Sequence, residues 1–475
     1  MTAVVTAARV AGLVGDFNRS PAYAGLSAAL RVLIGEGRIP HGARLPSERD
    51  LTVALGVSRT TVTRAYADLR DRGFSEARVG AGTFTSLPGG RRSLADRAFA
   101  PRDDAPDAID LNCAAASAVA GLAGFYAEAA AEMPAYLSGH GYHPTGLPEL
   151  QEAIAASYAD RGLPTSPEQV LVTSGALSAT AVVAHAFTRP GDRVLLEDPV
   201  YPNATDALAH RGARLVPAPV DRVAGWDVEG IAASARQAAP RLAYLVPDFQ
   251  NPTGHVMSAA DRERLAAALQ RTRTVAVVDE AHAALALDGQ DLPAPFAACS
   301  PDAITIGSAS KALWGGLRLG WIRAPRQQVD ALTRARLGID LGAPVLEQLV
   351  LARALDDDGA VLDGNRRRLQ ARRDRLVAAL RSRLPEWRFR VPSGGLSLWV
   401  ELPEALATAV AAEAEKRGVI VAPGPVFAVQ GGLDRYLRIP WTLPPDELER
   451  AVDLLVGAWA ARDSSAPEPT RVRVT

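Results

Sequence analysis

The sequence predicts a multidomain α/β protein: a small helical N-terminal unit, a loose connector, and a large unit of alternating strands and helices. Three observations carry this. A chain of 475 residues, 48% of them hydrophobic, can bury one large core and a small separate one. The texture then changes twice, near Ser86 and again at Ile109, with proline, glycine and aspartate concentrated between. Finally, from Ile109 to about Arg462, β-branched runs alternate with alanine- and leucine-rich segments, the pattern of a mainly parallel sheet covered by helices. The expected boundaries are 15–86 for the small unit, 87–108 for the connector and 109–462 for the large unit. A polar, proline-containing tail over 463–475 reads as disordered.

In the small unit, GARLPSERDLTVALGVSRTTVTRAYADLRDRGFSEARVGAGTFTS from Gly42 divides into helix, tight turn, helix and two short strands around a glycine-rich tip. Ser47 and Ser58 are placed to cap the two helices, and Gly56 lies in the turn between them. The second helix puts Val62, Ala65 and Leu69 on one face, which leaves Arg59, Thr60, Thr61 and Arg64 for a ligand. Such a helix fits a DNA major groove, where arginine reads a guanine edge and the helix N-terminus favours phosphate oxygens.

The connector, with Pro88, Gly89, Gly90, Pro101 and Pro106, has little apolar periodicity. Its length would span roughly 25 Å as a flexible coil and up to about 75 Å extended, enough to reach a partner subunit.

Composition narrows the function classes. A formal net charge of -1 gives the whole chain no polyanion-binding signature, so DNA contact must come from a local patch. Cys113 and Cys299 are far apart and in no metal-ligand spacing, which fits a reducing cytosol and points to neither disulfides nor a metal. No export signal and no apolar run of about 18 residues is present, so the chain reads as soluble and cytoplasmic. Of 52 basic side chains only two are lysines, Lys311 and Lys416. Lysine can lose its proton and form a Schiff base, and arginine cannot, so each lysine needs a reason.

In the large unit the strand-like runs are QVLVTS, RVLLED, LAYLVP, TVAVVDE and AITIGS, and ligands of open α/β sheets sit outside the carboxyl ends of such strands. The chemistry-bearing residues lie at those ends. Pyridoxal 5'-phosphate (PLP) chemistry needs a lysine, an acid for the pyridine nitrogen, a phosphate cradle, a ring stack and a cation for a substrate carboxylate. Lys311 in GSASKALWGGLRLGW follows a strand, with Ser308 and Arg318 placed to serve one phosphate. Asp279 ends an apolar strand, where a carboxylate calls for a buried cation such as pyridinium. Ser174, Gly175, Ala176 and Leu177 lie between a strand and a helix, so their N–H groups can hold phosphate. Tyr201 can lie against the ring, and Asn251 can donate to the phenolic oxygen. Arg438, in an apolar strand, suits a carboxylate.

RLPSERDL, GVSRTTVTRAY and GAGTFT resemble the winged helix-turn-helix of GntR-type regulators. That resemblance implies DNA contacts from Arg49, Ser58, Arg59, Thr60, Thr61 and the wing glycine Gly80, to which the exposed helix face adds Arg64 as a DNA-binding candidate. The large unit resembles fold-type I, PLP-dependent aminotransferases, and the two together resemble the MocR subfamily of GntR regulators. The resemblance implies that Lys311 is the Schiff-base lysine, Asp279 the pyridine-nitrogen partner, Asn251 the phenolic-oxygen donor, Tyr201 the stacking ring and Arg438 the carboxylate clamp. It also implies that Tyr142 in GYHPTG reaches the neighbouring subunit's phosphate, and hence a homodimer.

Three positions depart from the pattern. His282 stands where a tyrosine is usual, Leu177 where a polar residue is common, and Thr63 where some relatives carry arginine. A histidine beside the phenolic oxygen is expected to titrate near neutrality. The expected function is a transcriptional regulator in which PLP, or an amine or amino-acid effector forming an aldimine with it, modulates binding to a double-stranded operator. An active aminotransferase with an accessory DNA reader is the alternative, and a DNA-binding protein whose enzyme-like domain only dimerises is a second.

Overall fold

The computed structural model describes residues 4–35, 38–40, 42–78, 81–86, 108–357 and 359–464. Gly80 and nearly all of the connector lie outside them. The small unit contains α1 (Ala7–Val14), α2 (Ala22–Gly35), α3 (Glu48–Leu55) and α4 (Arg59–Asp71), followed by an antiparallel pair, β1 (Ser75–Arg78) and β2 (Gly82–Thr85). Ser47 Oγ accepts from Asp50 N at 3.1 Å and Ser58 Oγ from Thr61 N at 3.1 Å, which starts α3 and α4 where the sequence indicated. Gly56 ends α3 with φ 62°, a conformation that a glycine adopts without penalty. Leu26, Leu30, Ile34, Leu51, Val62 and Leu69 form the core. Val5, Val10 and Val14 join it, so α1 belongs to this unit and its edge lies before residue 15.

The large unit is built on an eight-stranded sheet. Its strands are β4 (Val170–Thr173), β5 (Arg193–Asp198), β6 (Arg214–Asp221), β7 (Gly225–Trp226), β8 (Leu242–Leu245), β9 (Val275–Asp279), β10 (Ile304–Ser308) and β11 (Gly320–Arg323). The order is β4-β11-β10-β9-β8-β5-β6-β7, and all five strand-like runs become strands of it. Four pairings, among β6, β5, β8, β9 and β10, are parallel; β11 and β7 run antiparallel to their neighbours. One face buries Val172, Leu195, Ala243 and Val278, and the other buries Leu171, Val194, Tyr244 and Ile306, which is the double coverage that continuous apolar strands require.

A further core gathers residues from the two ends of the large unit. Here β3 (Ile109–Asp110) pairs with β13 (Val419–Ile420), and β12 (Ser397–Glu401), β15 (Tyr436–Pro440) and β14 (Ala422–Pro423) form a three-stranded sheet. The last helix runs from Pro445 to Ser464, two residues into the segment read as a tail; the rest of that tail lies outside the described residues. Among the described residues no helix is long and apolar enough to cross a membrane.

Candidate functional site

The sheet register brings the distant motifs together. Thr173 of β4 pairs with Gly320 of β11, and Gly320 pairs with Ser308 of β10. One strand further, Ile306 pairs with Asp279 of β9. Ser174, Ser308 and Asp279 thereby come to one edge, at the carboxyl ends of β4, β10 and β9. Gly320 permits this closeness, since a Cβ there would stand 2.6 Å from the Gly175 carbonyl carbon.

Lys311 sits in the turn after β10, and its Nζ donates to the Ala114 carbonyl at 2.8 Å. Burial lowers the affinity of its amine for a proton; Cys113 and Asp279 oppose that effect, and Arg438 and Arg318 add to it. Lys416, by contrast, is a solvated cation whose side chain is 67% exposed and pairs with Glu413 at 3.1 Å. The two lysines have different reasons to exist, and only Lys311 faces the site.

Asp279 is buried at the end of β9. Tyr244 Oη donates to its Oδ2 at 2.5 Å, and Ala281 N to its Oδ1 at 2.8 Å. Burial pushes this carboxyl above its ordinary range, against those hydrogen bonds and the charge of Lys311. Between β4 and the helix Ala176–Phe187, Gly175 has φ 102°, and a Cβ on it would lie 3.2 Å from the Arg318 guanidinium. Arg318 Nη2 donates to the Ser174 carbonyl at 3.4 Å. Ser174–Ala176 and Arg318 therefore lie side by side, and the sheet register brings Ser308 next to them. Leu177 is 39% exposed, on the first turn of that helix.

Tyr201 opens the helix Pro202–Ala209, and burial pushes its phenol up to about 12, with Asp279 adding and Arg438 opposing. Asn251 Oδ1 is buried with no hydrogen-bond partner. His282 is buried, with Nδ1 at 3.2 Å from the Phe249 carbonyl oxygen. Burial, then the charge of Lys311, pushes its imidazole down to about 3, so it stays neutral and the expected titration near neutrality is overturned. Arg438, on β15, is fully enclosed: Nη2 donates to the Asn112 carbonyl, and the guanidinium lies 5.1 Å from the Phe427 ring centroid. Tyr142 is apart from this group, 58% exposed and stacked on His140 at 5.8 Å.

On the small unit, Arg49, Ser58, Arg59, Thr60 and Arg64 are exposed and Thr61 is half-buried. Arg59 points outward with a side chain 78% exposed and lies 3.7 Å from Glu48. Arg64 lies over the Tyr23 ring at 4.5 Å. Ser58 Oγ and Thr61 Oγ1 are 2.8 Å apart and engaged in capping. Thr63 donates to Glu48 Oε2 at 2.7 Å, tying α4 to α3.

Two family models match: "Bacterial regulatory proteins, gntR family" over residues 22–85 and "Aminotransferase class I and II" over 125–455. The chain is 32% identical over 392 residues to the "Probable rhizopine catabolism regulatory protein MocR" of Rhizobium meliloti, covering 77% of this chain and 78% of that protein. The chain belongs to the MocR-type GntR regulators. It is also 26% identical over 451 residues to the HTH-type transcriptional regulator YdfD of Bacillus subtilis, covering 89% of this chain and 92% of that protein. A likeness on the enzyme side is the 2-aminoadipate transaminase of Thermus thermophilus, 33% identical over 308 residues, 63% of this chain and 76% of the relative. The solved α-aminoadipate aminotransferase LysN of that organism, complexed with N-(5'-phosphopyridoxyl)-L-leucine, superposes with TM-score 0.69 at 29% identity, covering 78% of this chain and 98% of that one.

Several neighbours of this regulator's site were missed in the sequence. Tyr244 had a visible signal, a hydroxyl in the otherwise apolar LAYLV strand. The Asn112 and Ala114 carbonyls, which hold Arg438 and Lys311, had none, because any residue type supplies a carbonyl.

Proposed function

We propose that the large domain of this regulator holds PLP on Lys311, and that the cofactor, or an amine or amino acid joined to it, shifts the arrangement of the domains and so the operator affinity of the winged helix-turn-helix. The observation that carries this is the meeting of Lys311, Asp279, Ser174–Ala176 and Arg318 at one sheet edge, from three separate stretches of chain. The residues fit the group. Gly175 leaves the space that a cradle needs, and Asn251, whose buried Oδ1 acceptor has no partner, is a polar side chain not yet satisfied within the fold.

In this reading Ser174, Gly175, Ala176, Ser308 and Arg318 bind the phosphate, Leu177 flanks it, Asp279 holds the pyridine nitrogen's proton, Tyr201 packs on the ring and Asn251 donates to the phenolic oxygen. Arg438 orients an effector carboxylate. When bound, PLP supplies an electron-withdrawing ring to which an amine nitrogen can be joined. Coupling is reciprocal: an effector that weakens DNA binding must itself be bound less tightly on DNA.

Two chains act together here. The exposed Tyr142 lies with Leu341, Ala343 and Pro344 around a cavity of about 420 Å³ and is free to reach a second copy, and the exposed Ile339 and Leu341 offer that copy apolar surface. Arg49, Ser58, Arg59, Thr60, Thr61, Arg64 and Gly80 contact duplex DNA in this reading, and the protein works in the cytoplasm.

The test is DNA binding of the full chain to the region upstream of its own gene, with and without PLP and amino acids. PLP-dependent affinity is expected, and no binding under any condition would overturn the regulator. Sustained transamination with an amino donor and a keto acid would instead support the enzyme reading, which the likeness to the transaminase favours.

A further inference from the structure

His282 replaces a hydrogen-bond donor with a group whose polarity the fold fixes. A carbonyl oxygen can only accept, so the 3.2 Å contact with the Phe249 carbonyl requires Nδ1 to carry the ring hydrogen. Protonating the other nitrogen as well is disfavoured first by burial, to which the charge of Lys311 adds in the cofactor-free chain and that of Arg438, from β15, in either state. Nε2 therefore keeps its lone pair.

Its place relative to PLP, on the cofactor reading above, follows from the chemistry of the ring. The carbon that Lys311 engages lies opposite the pyridine nitrogen, between the phosphate arm and the phenolic oxygen. With the nitrogen at Asp279 and the phosphate at Ser174–Ala176 and Arg318, the phenolic oxygen falls on the remaining side. To that side we assign the turn that carries Phe249 and Asn251, because His282, bonded to Phe249, lies within reach of the charges of both Lys311 and Arg438.

We propose that His282 is a positioning residue that accepts, through Nε2, a hydrogen bond from the cofactor's phenolic oxygen, so that this oxygen keeps its proton. The Asn251 amide donates to a lone pair of the same oxygen, and the two contacts are complementary. A tyrosine at 282 would donate instead and favour the oxygen as an anion, with the proton on the Lys311 nitrogen. The histidine thus leaves that nitrogen unprotonated and the adjoining carbon less electrophilic toward an incoming amine, which suits slow, sensing exchange over turnover.

The test is spectroscopic and uses the PLP-saturated full-length protein and its His282→Tyr and His282→Phe variants. The parent protein is expected to absorb mainly in the near-ultraviolet, His282→Tyr mainly in the visible, and His282→Phe between them. A purely structural role would change occupancy but not the band position. Nitrogen-15 shifts of His282 in the parent protein read the tautomer without any variant: Nδ1 is expected to carry hydrogen and Nε2 none. A visible band in the parent equal to that of His282→Tyr, or hydrogen on Nε2, overturns the proposal. No band at all in the parent overturns the cofactor reading and this proposal with it.

Discussion

Replacing Arg438 by glutamine tests whether this side chain reads a carboxylate. The guanidinium is 2% exposed, and burial pushes its proton affinity down to about 10, still charged at neutral pH. It cannot swing into solvent to find another partner. One Nη donates to the Asn112 carbonyl and the guanidinium lies against the Phe427 ring, so the cation is held in place rather than mobile. A charge-assisted hydrogen bond is worth about 1.5–3 kcal/mol, and at roughly 1.4 kcal/mol per tenfold change this predicts roughly 10-fold to roughly 150-fold weaker binding. Glutamine keeps a polar, uncharged side chain of related shape while losing the charge and the fork. The assay titrates the absorbance of the PLP-loaded protein with L-leucine and, separately, with isopentylamine, the same molecule without its carboxylate. Only the amino acid should weaken. Equal weakening of both ligands would mean that Arg438 is a structural cation whose loss disturbs the whole pocket.

Three further outcomes follow from the same geometry. Leu30→Ala, at a fully buried position of the small unit, should cost about 2–5 kcal/mol; DNA binding should fail at a lower temperature while the cofactor band of the large domain is unchanged. Arg59→Ala should weaken operator binding by about 1–3 kcal/mol and relax preference at one base pair if the side chain reads a base edge, whereas a uniform loss across sequences with a shallower salt dependence would assign it to phosphate. His282, held down to about 3 in the folded chain, leaves stability in full above the unfolded value near 6.5. That stability is lost as pH falls toward 3, because only the unfolded chain takes up the proton. By pH 5 the loss is about 2 kcal/mol. Urea unfolding of the PLP-free protein and of His282→Asn should diverge between pH 6.5 and 5, and parallel curves would refute the buried neutral imidazole.

The helix limits at Ser47, Gly56 and Ser58 were legible because capping hydroxyls and a left-handed glycine act within a few residues. The five strands were legible because burial on both faces leaves a continuous apolar run. Helix α1 was missed: eight residues carry too little periodicity to be separated from loop until Val10 and Val14 are seen against Leu51. The titration assigned to His282 failed for a related reason. Its pKa depends on enclosure and on Lys311 and Arg438, 29 and 156 residues further along the chain.

By itself the sequence determined which chemistry is available: two lysines among arginines, one of them after a strand and between small residues, an acid at a strand end, a glycine-bounded turn and a reading helix with its arginine outward. Those depend on residue identity and on neighbours a few positions away. Only the tertiary structure decided how these groups are poised. The register that sets Thr173, Gly320 and Ser308 side by side, the Tyr244 hydroxyl on Asp279 and the carbonyls that hold Lys311 and Arg438 are all long-range contacts. So is the Phe249 carbonyl that fixes the polarity of His282. A backbone carbonyl has no letter in the sequence, and the desolvation that moves a proton is a property of everything packed around a group.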